Sequence, residues 1–286
     1  MKTLFDVPAP AKLNLFLHVV GRRLDGYHLL ESACMLIDWY DTLHFELRQD
    51  GCISREDLNV VLPADDLIVR AARALVGHTG CTHGVHISVE KRIPTQAGMG
   101  GGSSDAASAL LALNRLWQLD LSLNQLKMIG LTLGADVPFF LGGHNAWVQG
   151  IGEQLTSIPI PVDQFVVVKP LSGIDTAQVF SHPDLQQNSE SAKLSEFLVS
   201  PFDFGYNTLQ QIAELLCPDV KIAIDWLRHQ GFKARMTGSG SAVFARAAHG
   251  FHQGFNVSQA VNQVPCNFDV RVCRSLVVHP LQDWCI

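Results

Sequence analysis

The sequence predicts a mixed α/β and α+β protein of two domains, and three observations predict it. Its 286 residues, 47% hydrophobic and 17% charged, suit two modest domains at roughly 100 to 200 residues each, with enough apolar side chains for a large core. Between Val85 and Trp117 a strand pattern, a glycine-rich loop and an amphipathic helix pattern follow one another, the order of an α/β unit. Beyond Gly152 the pattern changes, so a second domain is expected near Ser157, with residues 1–156 and 157–286 as the two units.

From Ala11 to Val20 the odd positions Ala11, Leu13, Leu15, Leu17 and Val19 are apolar, while the even ones include Lys12, Asn14, Phe16 and His18. That is a strand with one core face. Alternation projects Lys12 and Asn14 together, under about 7 Å apart along the strand, where both can touch one ligand. Asp25-Gly26 then supplies hairpin chemistry before a second apolar run near Ala33 to Trp39, and Tyr27 and His28 leave the turn. Leu67 to Val76 fits a helix, and Val85, Ile87 and Val89 alternate with polar residues in a strand ended by Pro94. Ala106, Leu110, Leu113 and Trp117 recur at helical spacing, with Ser103, Ser104 and Asp105 as capping material.

A further helix near Leu123 to Leu131 stops at Gly134, and Ala135-Asp136-Val137-Pro138 opens a short turn. In the second half Phe165 to Lys169 reads as a buried strand. Val220, Ala223, Ile224 and Leu227 mark a helix that ends at Gly231. Thr237-Gly-Ser-Gly-Ser links the strand-like segments Phe232–Arg235 and Val243–Ala245, as a small-residue loop or a tight hairpin. Residues 182–206 are polar connections with one short helix.

A formal charge of −6 with scattered Lys and Arg argues against a nucleic-acid footprint. The seven cysteines form no C-x-x-C pair and the twelve histidines no H-E-x-x-H pattern, so thiols are expected reduced and histidine-bound metal is not expected. No stretch approaches the eighteen or so unbroken apolar residues of a membrane span, and no secretory signal opens the chain, so a cytoplasmic protein without membrane contact is expected.

The densest glycine run, Gln96-Ala-Gly-Met-Gly-Gly-Gly-Ser-Ser-Asp, precedes a helix. Backbone N–H groups unobstructed by Cβ atoms, aligned with a helix dipole, suit a polyphosphate. A Walker A loop would need a lysine after Gly102, where Ser103 stands, and a dinucleotide fingerprint from Gly98 would need Gly or Ala at Ser103. The protein-kinase H-R-D and D-F-G motifs do not occur.

Pro10-Ala-Lys-Leu-Asn-Leu-Phe-Leu, Ala97-Gly-Met-Gly-Gly-Gly-Ser-Ser-Asp-Ala-Ala and Met236-Thr-Gly-Ser-Gly-Ser-Ala, in that order, resemble the three motifs of the GHMP small-molecule kinases. Gly21-Arg-Arg-Leu-Asp-Gly-Tyr-His and Gly134-Ala-Asp-Val-Pro-Phe-Phe are similar to the branch that serves non-mevalonate isoprenoid synthesis and acts on a cytidyl diphosphate alcohol. The resemblance implies a ribosomal-protein-S5-like α/β N-terminal domain that binds ATP, an α+β C-terminal domain, and substrate between them. It implies phosphorylation of the 2-hydroxyl of the substrate's methylerythritol part, with Mg2+ accompanying ATP, by a monomer or weak homodimer. Another GHMP kinase acting on mevalonate, homoserine or a sugar, or a non-catalytic ligand-binding regulator, is the alternative.

On this resemblance Ala97, Gly98, Met99, Gly100, Gly101, Gly102, Ser103 and Ser104 hold ATP, and Ser104 is a candidate Mg2+ ligand. Asp136 is the expected base, although alone an Asp two residues before Pro138 reads as a helix cap. Lys12 would keep Asp136 ionised and polarise the same hydroxyl, as its catalytic partner. Asn14, Tyr27, His28, Thr176, Phe180, Gly238 and Ser239 join Asp136 as expected substrate contacts, with Tyr27, His28 and Phe180 around the cytosine. Asp66-Leu67-Ile68 departs from the family's Asn-Leu-Ile near the adenine pocket, replacing an amide by a carboxylate that only accepts.

Overall fold

Two long antiparallel strands organise the first half of the chain in the computed structural model, which describes residues 2–247 and 268–284. Strand β1 (Thr3–Arg22) pairs with β2 (His28–Arg48) from Thr3↔Glu46 to Arg22↔His28. The Asp25-Gly26 turn joins them, with Gly26 at φ 91°, a left-handed conformation open to glycine without Cβ strain. Strand β3 (Ile53–Asp57), helix α1 (Leu67–Thr79) and strand β4 (Gly84–Glu90) form a crossover, since β3 and β4 are parallel and β4 is antiparallel to β2. Asp66 caps α1 by accepting from the Val69 N–H at 3.1 Å, and Gly80 ends it in the left-handed region.

Helices α2 (Gly101–Leu116), α3 (Leu123–Leu133) and α4 (Val137–Gly142) follow, then strands β5 (Ala146–Gln149) and β6 (Gln154–Ser157). The sheet runs β3-β4-β2-β5-β6, with β1 also on β2. Ser122 and Gln125 form the capping box of α3. The capping expected of Ser103, Ser104 and Asp105 is not what these residues do. Gly100 occupies the N-cap position of α2 in a left-handed conformation, and all three side chains lie beyond it, inside the helix. The Ser104 hydroxyl donates to the Pro10 carbonyl at 2.6 Å, and Asp105 is buried against Lys91.

The helices cover one face of this sheet, where Leu36, Leu43 and Phe45 pack with Ala71, Leu75, Leu110 and Leu113. The other face meets the second sheet, as Ala11, Leu13 and Leu15 pack with Phe165, Val167 and Phe244. The expected strand with a single core face is therefore corrected. Lys12, Asn14, Phe16 and His18 are buried as well, because β1 is enclosed by elements from both halves of the chain.

The second half contains β7 (Gln164–Pro170), α5 (Thr176–Ser181), α6 (Leu194–Val199), α7 (Gln210–Leu216), α8 (Pro218–His229), β8 (Ala234–Met236), β9 (Val243–Arg246) and β10 (Phe268–Arg274). Its sheet runs β10-β7-β9-β8 with every neighbour antiparallel, the α+β arrangement. Helix α8 turns Val220, Ala223, Ile224 and Leu227 into the core, as its spacing predicts, and Pro218 starts it at a position that needs no N–H partner. After β10 the chain returns to the first sheet: Leu276 N–H donates to Leu36 O at 2.8 Å, and Leu281 joins the first core.

Candidate active site

A cavity of about 800 Å3 opens between the two halves, within the usual size range for a small-molecule site. Four hydrogen bonds join three segments at it. Lys12 N–H on β1 donates to Met99 O at 3.0 Å, and Asn14 N–H donates to Thr237 Oγ1 at 2.9 Å. Ser241 N–H reaches Gln96 O at 3.1 Å and Ala242 N–H reaches Ala97 O at 3.2 Å. The three sequence motifs, far apart in the chain, thus form one hydrogen-bonded network.

Two glycines beside this network tolerate no side chain. Gly98 has φ 70°, and a Cβ there would lie 2.3 Å from Thr237 O; one on Gly238, at φ 54°, would lie 2.6 Å from Gly98 O. The Thr237–Ser241 loop is both the hairpin between β8 and β9 and a wall of the cavity, through Gly238 and Ser239. Thr176 at the start of α5 joins that wall, its hydroxyl 2.7 Å from that of Ser239.

Along the glycine loop, Ala97, Gly98, Met99, Gly100, Gly101, Gly102 and Ser103 all line the cavity. The first bond of α2 runs from Ser104 N–H to Gly100 O at 2.9 Å, so the amides of Gly101, Gly102 and Ser103 precede the helical ladder and form an anion-ready helix start. Ser104 lies off the cavity, fully buried on Pro10.

Lys12 Nζ stands 3.7 Å from Asp136 Oδ2, the lysine side chain 5% exposed and the aspartate 45%. Asp136 sits at the N-cap position of α4, yet its backbone is αR and its side chain makes no capping bond, which leaves the carboxylate open to the cavity. Lys12 Nζ also donates to Asn14 Oδ1. Both protons of the Asn14 amide are taken, by Ser32 Oγ at 2.8 Å and Cys34 Sγ at 3.3 Å, so toward a ligand Asn14 can only accept. Burial pushes the Cys34 thiol up to about 12, which keeps it protonated and unreactive.

At the other end Tyr27 is exposed, while His28 is buried with its ring 5.5 Å from that of Phe180. Burial, and then the Arg22 charge, hold the His28 imidazole below its ordinary value, so it is neutral at pH 7. Its Nε2 is buried and has no hydrogen-bond partner among the described residues, beside the Phe180 ring. Asp66 is not at the cavity: it caps α1 and pairs with Arg55 at 2.6 Å, while its neighbour Leu67 lines the cavity.

Sequence reasoning missed a buried cluster under the glycine loop. Lys91, at the cavity edge, bonds Asp41 and lies 2.5 Å from Asp105 Oδ2. Burial raises the Asp105 carboxyl above its ordinary value against the opposing pull of Lys91. A lysine directly after a strand and shortly before the glycines was the available signal; its partners, 50 and 14 residues away, were not.

Comparison with known proteins agrees with this geometry. GHMP kinases N terminal domain matches residues 66–144, and GHMP kinases C terminal matches residues 182–266. A 4-diphosphocytidyl-2-C-methyl-D-erythritol kinase of Albidiferax ferrireducens is 59% identical over 286 residues, 100% of this chain and 97% of that protein. The chain belongs to the 4-diphosphocytidyl-2-C-methyl-D-erythritol kinase family. Another member, from Acidovorax ebreus, is 57% identical over 99% of both proteins. A crystal structure of a 4-(cytidine 5'-diphospho)-2C-methyl-D-erythritol kinase superposes with a TM-score of 0.77 at 31% identity, over 96% of this chain and 98% of that one. A homoserine kinase from Cytophaga hutchinsonii shares the fold alone, with a TM-score of 0.67 at 14% identity over 97% of this chain and 95% of that one. The two-domain GHMP kinase fold expected from the motifs is the fold found, and membership makes the protein an ATP-dependent phosphotransferase.

Proposed function

We propose that the protein transfers the γ-phosphoryl group of ATP to the 2-hydroxyl of 4-diphosphocytidyl-2-C-methyl-D-erythritol, giving the 2-phosphate and ADP in non-mevalonate isoprenoid synthesis. The observation that carries this reading is the Lys12–Asp136 pair, which lines one cavity together with the phosphate-ready helix start and with Tyr27, His28 and Phe180. Phosphoryl transfer asks a protein chiefly for alignment and charge neutralisation. The amides of Gly101, Gly102 and Ser103 receive the phosphates, with Ala97–Gly100 shaping the loop beneath them. The substrate hydroxyl sits between Lys12 and Asp136; its oxygen bonds the γ-phosphorus, the bond to the ADP oxygen breaks, and the proton passes to Asp136.

Tyr27 and Phe180 hold the cytosine by its faces, His28 reads its edge, and Asn14 accepts from a substrate hydroxyl. Thr176, Gly238 and Ser239 bound the substrate on the side of the second sheet. Residues 1–156 form the nucleotide-binding unit and 157–286 the substrate unit, of which 248–267 and 285–286 lie outside the described residues.

Mg2+ enters with ATP. Among the described residues there is no group of three or more His, Cys, Asp or Glu that could hold a metal. Bound with ATP, the ion neutralises the outer phosphates. Ser104 does not fit as its ligand, because the hydroxyl is buried on Pro10, whereas Ser103 faces the cavity. The protein works in the cytoplasm as a monomer or weak homodimer, without nucleic acid or membrane; no helix among the described residues is long and apolar enough to cross a bilayer.

The test is ADP release on separate addition of the cytidyl substrate, mevalonate, homoserine and galactose. Release is expected with the first alone. Release with another alcohol instead would overturn the substrate, and release with none would favour a ligand-binding role.

A further inference from the structure

Phosphoryl transfer in this cavity depends on which end of the Asn14 amide faces Lys12, and the hydrogen bonds around that amide decide it. Asn14 on β1 stands opposite Cys34 on β2, and Ser32 lies two residues earlier on the same face. Between the pairs Asn14↔Cys34 and Leu17↔Ser32 the register shifts. There Leu17 N–H leaves for Tyr206 O at 2.9 Å, and the Phe16 carbonyl takes the Ser32 hydroxyl as donor at 2.5 Å. A carbonyl only accepts, so the single Ser32 proton is committed to Phe16. The Ser32 oxygen, 2.8 Å from the Asn14 amide nitrogen, can then only accept from it.

The consequence runs on to the reacting groups. With its nitrogen held by Ser32, Asn14 presents Oδ1 to the Lys12 ammonium. A reversed amide would set an NH2 group against that ammonium and an oxygen against a hydroxyl with no proton left to give. Asn14, Ser32 and Lys12 are 5%, 2% and 4% exposed, so a mismatch there carries most of its cost unrelieved by solvent.

We propose that Ser32 is a positioning residue for phosphoryl transfer, fixing the Asn14 amide so that its oxygen, and through it the Lys12 ammonium, is set for the substrate hydroxyl. This rests on the reading of Lys12 and Asp136 given above.

Steady-state kinetics of Ser32→Ala, Ser32→Thr, Asn14→Ala and the Ser32→Ala/Asn14→Ala double variant test it, with melting temperatures taken alongside. Ser32→Ala is expected to lower kcat roughly 10- to 100-fold, the scale of a small misplacement, with KM for ATP within about twofold of the parent. Ser32→Thr restores the hydroxyl and most of the turnover. The double variant is expected to match Asn14→Ala alone, because without the amide nothing remains for Ser32 to orient. Should Ser32→Ala fail to fold, Ser32→Cys, with a weak donor and acceptor of similar shape, is expected to show an intermediate kcat loss. Parental turnover in Ser32→Ala or Ser32→Cys overturns the proposal, as does a Ser32→Ala loss that multiplies fully on the Asn14→Ala background, the mark of a packing defect. Parental turnover in Asn14→Ala would also remove Asn14 from the site, a failure of the underlying reading.

Discussion

Asp136 carries the sharpest question at the scale of single residues, because its place before α4 invites a capping role while its geometry declines one. The side chain makes no capping bond and stands 3.7 Å from Lys12. Asp136→Asn keeps the shape and loses the proton acceptor, so kcat is expected to fall roughly 10² to 10⁴-fold with the melting temperature and ligand affinities close to the parent. Turnover within a few-fold of the parent would leave Asp136 structural. Lys12→Met is expected to slow turnover too, less than additively with Asp136→Asn, since both act on one hydroxyl. At the other end of the cavity, Tyr27→Ala or Phe180→Ala should weaken the cytidyl substrate by about 1 to 3 kcal/mol, the scale of one lost base stack. Calorimetry with ATP as the second ligand distinguishes this from a general defect, which would weaken both.

Among the elements, the glycine loop shows how far a sequence motif can be read. Three glycines before a helix point to phosphate, but the sequence does not say which glycine faces it. A Cβ on Gly101 would come within 3.1 Å of the buried Ile93, a tight contact, whereas one on Gly102 meets only Leu67 at an ordinary 3.6 Å. Gly102→Val is therefore the informative substitution: ATP affinity should drop by at least about tenfold, or 1.4 kcal/mol, with the cytidyl ligand still bound. Unchanged ATP affinity in a folded variant would take this turn out of the nucleotide site. Gly101→Val is expected to lower the melting temperature instead. The periodic elements were legible because one face of each packs and the other does not, as in β4 and α8. Strand β1 was legible only in part. Enclosure on both sides makes burial continuous from Ala9 to Val19, so alternation marked neither the strand's length nor its polar contacts. The Lys91–Asp41–Asp105 cluster and the Ser32–Asn14 bond are non-local pairings, for which one sequence carries residue types but no distances.

Across the whole molecule, the last described segment ties the second sheet back to the first domain, and a buried histidine makes that tie sensitive to acid. His279 N–H donates to Gly143 O at 2.8 Å, its Nδ1 accepts from Leu281 N–H at 3.0 Å, and Arg115 lies 5.1 Å over the Trp284 ring. Burial pushes the His279 imidazole down to about 4. In the unfolded chain the ring titrates near 6.5, so between these values the unfolded state binds the extra proton and the folded state does not. The neutral ring's contribution is thus fully present above pH 6.5 and is lost as pH falls toward 4, on the order of 3 kcal/mol over the window. His279→Asn offers an oxygen where Nδ1 accepts but carries no titratable ring. Denaturant unfolding from pH 7 to pH 4.5 should show the parent losing more stability than this variant, although carboxylates contribute to both curves. Parallel curves would mean that the returning segment tolerates a charged His279, and that acid acts elsewhere in the fold.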